Sequence, residues 1–87
     1  MNITEVKIRL LKKETDKVKA TASVSIDNAI VIHDIKIIES NNNLFIAMPN
    51  RRTSTGAYID IAHPLNSQTR KLLNDVIIQQ YLNTINN

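Results

Sequence analysis

The chain has 87 residues, no cysteine, and 11 Lys and Arg against 8 Asp and Glu, a net charge of +3. Without cysteine there are no disulfides and no Cys-based zinc sites. A chain this short is expected to form one domain, residues 1–87, with a thin core that buries about 60–65% of its extended-chain surface and gains from self-association.

The elements follow in chain order. Val6, Ile8 and Leu10 recur with period two, which predicts a strand from about Ile3 to Lys12, followed by a polar turn at Lys13–Asp16. From Val18 to Ile26, Val18, Ala20, Ala22, Val24 and Ile26 face one way and Lys19, Thr21, Ser23 and Ser25 the other. The two segments read as an antiparallel hairpin with one wet face.

Asp27-Asn28 is a turn signal. Ala29–Ile38 is apolar on both faces, as expected of a central strand or of one whose outer face meets a second subunit. Ser40-Asn41-Asn42-Asn43 predicts a turn and Leu44–Met48 a short strand, stopped by Pro49, which lacks the N–H a ladder needs. Asn50–Gly56 reads as a loop and Ala57–Ile61 as a fifth strand.

A helix starts after Pro64, with Asn66 or Ser67 as its cap. Its expected apolar stripe is Leu65, Leu72, Leu73, Val76, Ile77, Tyr81 and Ile85, with Ile78 at the margin as a subunit contact and Asn83–Asn87 fraying. The expected architecture is α+β: an antiparallel sheet of about five strands with one C-terminal helix packed on it, as a homodimer. The dimer is argued from the doubly apolar strand, because exposed apolar surface costs about 25 cal/mol per Å².

The opening MNITEVKIRL has no basic stretch followed by an apolar run, and no segment nears the roughly 20 apolar residues that span a bilayer. A cytoplasmic protein with no membrane partner is expected.

Catalytic and metal sites find little support. His33-Asp34 suggests a base with an orienting carboxylate, but neighbouring strand residues point to opposite faces. His63, with His33, Asp34 and Asp60, fits no metal-ligand spacing. Gly56 is the sole glycine, whereas phosphate-cradling loops need several. No enzyme, cofactor, metal or small-molecule substrate is expected.

The basic residues are more informative. Lys7, Arg9, Lys12, Lys13, Lys17 and Lys19 crowd the first 20 residues, and Arg51-Arg52 and Arg70-Lys71 form two later pairs. Clustered cations suit a phosphate-facing surface, or equally a solvated hairpin. In a polar loop, Arg51 and Arg52 present forked donors that match phosphate oxygens and guanine edges. Alternatively, one of them is anchored to a carboxylate such as Asp60. Arg70 and Lys71 sit near a helix start, where the dipole disfavours cations unless an anion binds. Aromatics are few, so the paired stacking residues of an RNA-recognition sheet are missing.

Several blocks resemble the SpoVG family: Val31-Ile32-His33-Asp34-Ile35; Leu44-Phe45-Ile46-Ala47-Met48-Pro49; Arg52-Thr53 with Gly56; and Asp60-Ile61-Ala62-His63-Pro64-Leu65-Asn66 with Thr69-Arg70. The likeness runs in register over nearly the whole chain. It implies a small homodimeric α+β protein of the bacterial cytoplasm, a site-selective DNA- and RNA-binding regulator of septation, sporulation or virulence-type gene expression. It makes Arg51, Arg52, Arg70 and Lys71 the nucleic-acid contacts. A non-enzymatic protein–protein adaptor of the division or sporulation machinery is the alternative. The chain departs from its relatives at Ala57-Tyr58-Ile59, an uncharged segment where they often carry charge, which implies a different sequence preference or affinity.

Overall fold

The computed structural model describes residues 2–11 and 17–86. Four strands, Ile3–Leu10 (β1), Val18–Ile26 (β2), Ile30–Ser40 (β3) and Asn43–Ala47 (β4), form an antiparallel sheet in the order β1-β2-β3-β4. Asn50–Arg52 (β5) and Tyr58–Asp60 (β6) pair only with each other, as a separate small sheet. One helix, Ser67–Ile85 (α1), closes the chain. The predicted turn Lys13–Asp16 lies outside the described residues.

The α+β class is as expected, but the five-stranded sheet is corrected to four strands plus a two-stranded arm. The reason is local. Pro49 has no N–H to continue the ladder after Met48, so the chain leaves the sheet there. The segment expected as a loop then pairs with the segment expected as the fifth strand: Arg51 faces Ile59 and Arg52 faces Tyr58. The β2–β3 and β3–β4 turns use left-handed pairs, Asp27-Asn28 (φ 53° and 52°) and Asn41-Asn42 (φ 54° and 66°). Positive φ at both central residues matches the twist of a tight hairpin, and Asn and Asp tolerate it best after glycine.

The core lies between one sheet face and α1. Ala20, Ala22 and Val24 of β2 and Ile35 and Ile37 of β3 meet Leu73, Ile77 and Tyr81. The two alanines at the sheet centre leave room for the large helical side chains. The buried helical stripe is therefore Leu73-Ile77-Tyr81, flanked by Ile78 and Leu82. This shifts the expected stripe: Leu65 is 90% exposed, Leu72 and Ile85 are also exposed, and Ile78 packs half-buried at the core margin. The helix extends to Ile85, with the Asn86 N–H bonded to the Leu82 carbonyl.

The doubly apolar look of β3 has a structural cause. Ala22 pairs with Ile35 and Val24 with Ile32, so His33 and Asp34 together oppose Ser23 in a β-bulge. Asp34 takes the left-handed conformation, φ 63°. The bulge resets the alternation, and Ile32, Ile35 and Ile37 all turn toward the core although two residues, His33 and Asp34, lie between the first two. Val31, Ile38 and Phe45 remain on the outer face, where Val31 and Phe45 are exposed and Ile38 is half-buried.

Candidate nucleic-acid interface

The arm is built by one turn. The Gly56 N–H donates to the Thr53 carbonyl (3.0 Å) and the Thr53 N–H to the Ala57 carbonyl (2.7 Å). Gly56 has φ 89°, the left-handed position that ends a three-residue hairpin loop and that a side chain would strain. The base is closed by the Ile61 N–H on the Pro49 carbonyl (2.7 Å) and anchored by buried Met48. All six residues of β5 and β6 are exposed.

Strand alternation sorts the arm into two unlike faces. One carries Asn50, Arg52, Tyr58 and Asp60; the other carries Pro49, Arg51, Ile59 and Ile61. The adjacent arginines thus point in opposite directions and are not equivalent. Neither forms an ion pair among the described residues, with Asp60 or any other carboxylate. Arg52 instead lies over Gly56: its Nη2 and Nε stand 3.5 and 3.9 Å from the point a Cβ there would occupy.

The second basic pair lies on α1. The Asn66 side chain accepts from the Thr69 N–H (2.7 Å) and caps the helix. Arg70 closes the first turn and Lys71 opens the second. The first turn carries no acidic residue, so nothing on the helix itself offsets the positive end of its dipole. Arg70 has no ion-pair partner among the described residues. Lys71 does: its Nζ is 2.6 Å from Asp75 Oδ2, four residues on. That pair is largely exposed, with the carboxylate 56% accessible, so it contributes only about 0.3–0.5 kcal/mol and is readily exchanged for a stronger anion.

Arg70 and Lys71 share a shallow concavity with Phe45, Ile46, Ser67 and Asn74. Both basic pairs therefore flank the end of β4, from which the arm departs and against which the helix start packs. No hydrogen bond or ion pair joins the two pairs among the described residues.

The other candidates fall into place. The bulge brings His33 and Asp34 to one outer-face groove with Lys7, Arg9, Thr21 and Ser23, which corrects the expectation that they face apart. His63 is exposed at the bend before α1, its Nδ1 3.1 Å from the Pro64 carbonyl. No group of three or more His, Asp or Glu side chains converges as metal ligands would among the described residues. No helix is long and apolar enough to cross a membrane.

Sequence reasoning missed Tyr58. It stands directly opposite Arg52 and is 69% exposed. Its signal was its position two residues after the turn glycine, which places it on the hairpin ladder.

A small antiparallel sheet carrying one helix and a cationic arm defines the structural class. The chain belongs to the SpoVG family, whose model matches residues 1–83. It is 51% identical over 81 residues to the "Putative septation protein SpoVG" of Lachnospira eligens, covering 93% of this chain and 91% of that protein. The protein of that name from Agathobacter rectalis is 48% identical over 87 residues, covering 100% of this chain and 99% of its own length. That from Thermoanaerobacter sp. is 53% identical over 81 residues, covering 93% and 87%.

Proposed function

We propose that this protein is a non-enzymatic, nucleic-acid-binding regulator that acts as a homodimer in septation or sporulation. The septation role rests on the naming of its relatives. The binding role rests on one observation above the rest: Arg51, Arg52 and Arg70 stand exposed, with no carboxylate partner among the described residues, on two elements that flank one end of the sheet. Unpaired guanidiniums in water hold their full capacity for phosphate, and such contacts dominate affinity for DNA and RNA. The homodimer is supported by apolar side chains that the fold leaves wet, among them Ile59 (42% exposed), Ile61 (66%) and Leu65 (90%).

The test is salt-dependent binding to DNA and RNA pools by the unaltered chain and by the Arg51→Ala/Arg52→Ala double variant. The variant should bind more weakly across sequences, with a log–log salt slope smaller by up to about one unit per lost contact. An unchanged slope with the fold intact would remove these residues from the interface.

The exposed Ile59, Ile61 and Leu65 favour a second reading, an adaptor of the division or sporulation machinery. A nuclease-resistant complex with a division protein, together with no nucleic-acid binding at physiological salt, would replace the first reading with this one.

A further inference from the structure

We infer that Tyr58 and Arg52 form a stacking platform for an unpaired base, so that the polar face of the arm takes single-stranded nucleic acid in preference to duplex. The inference rests on the nucleic-acid reading and says which form is bound, and how.

Tyr58 and Arg52 are direct cross-strand partners. Main-chain bonds link Thr53 with Ala57 and Ile61 with Pro49, so alternation makes Arg52–Tyr58 a pair without ladder bonds of its own. In such pairs the Cα atoms approach to about 4.5 Å and the side chains are closest. The guanidinium lies over the bare backbone of Gly56. The tyrosine is 69% exposed, a large ring left in water beside a planar cation with no ion-pair partner among the described residues.

The chemistry of this pair is specific. An aromatic face stacks any base, because every base has a π-face, while the adjoining guanidinium holds the phosphate or extends the stack. In a duplex the bases are already stacked on one another and are not available to the ring. A second copy of the chain is a poor occupant for this face, since a two-fold contact through it would bring Arg52 against Arg52. The opposite face, with Ile59 and Ile61, has the character of a protein contact.

The experiment compares the unaltered chain with Tyr58→Ala and Tyr58→Phe on a short oligo-dT strand and on a duplex of equal length, at one salt concentration. Light scattering is run on each variant. Tyr58→Ala should weaken strand binding by about 5- to 150-fold, the range for removing one aromatic ring from one base. Its duplex binding, salt slope and oligomeric mass should not change. Tyr58→Phe should bind as the unaltered chain does. The chain has no tryptophan and only one other tyrosine, the buried Tyr81, so strand binding should quench tyrosine emission and Tyr58→Phe should abolish that quenching. Equal losses on strand and duplex, no loss on either, or an altered mass for Tyr58→Ala would overturn the platform and leave the nucleic-acid reading standing. Failure of the unaltered chain to bind either probe would overturn both.

Discussion

Asn74 Oδ1, in the middle of α1, accepts a hydrogen bond from the main-chain N–H of Ile46 in β4 at 3.2 Å. β4 is an edge strand, and an edge N–H that points away from its only neighbour invites pairing with another chain. The helix side chain satisfies that donor. It also fixes α1 against the end of the sheet from which the arm departs, so the same contact sets where Arg70 and Lys71 stand.

Loss of this bond should be measurable. Asn74→Ala is expected to cost about 1–2 kcal/mol, because it leaves a partly buried donor without its acceptor. Thermal unfolding should show a drop of about 4–8 °C for each kcal/mol in a domain of this size. Asn74→Asp, which keeps the acceptor, should recover most of the loss.

The core assignment gives a paired prediction. Ile77 is fully buried between β2, β3 and α1, whereas Leu65 is 90% exposed. Ile77→Ala should cost about 2–5 kcal/mol in denaturant unfolding. Leu65→Ala should change stability by less than about 0.5 kcal/mol. Similar losses at the two sites would return Leu65 to the core stripe.

Asp34 tests the bulge. Its φ of 63° lies where β-branched residues are strained and glycine is not. Asp34→Gly should leave stability unchanged or raise it slightly. Asp34→Val should lower it by about 1–2 kcal/mol. Urea midpoints at constant m-value would separate these outcomes.

Lys71 and Arg70 should behave differently in binding. Arg70 has no ion-pair partner among the described residues, while Lys71 is held by Asp75. Arg70→Ala should weaken nucleic-acid binding and reduce its salt slope. Asp75→Asn should strengthen binding, because it frees Lys71 and removes a like charge from the path of a phosphate. A weakening on Asp75→Asn would take Lys71 out of the contact.

The sequence by itself determined the units. Period-two alternation marked β1 and β2, Asp27-Asn28 and Asn41-Asn42 marked the tight turns, and Asn66-Ser67 marked the helix start, because each rests on a preference of a few neighbouring residues. The two basic pairs and the family likeness were likewise legible. Tertiary structure decided the rest. Pairing of Asn50–Arg52 with Tyr58–Asp60 turned a loop and a fifth strand into an arm, since a ladder depends on which segment supplies the partner groups. The bulge at His33-Asp34 reset the register of β3 and turned Ile32, Ile35 and Ile37 toward the core, while Val31 and Ile38 kept its outer face apolar. The alanines of β2 receive Leu73, Ile77 and Tyr81 of α1, while Leu65, before the helix start, stays exposed. The same pairing placed Arg51 and Arg52 on opposite faces and put Tyr58 beside only one of them. Linear order cannot carry that separation, because side-chain direction on a strand is fixed only once its ladder has formed.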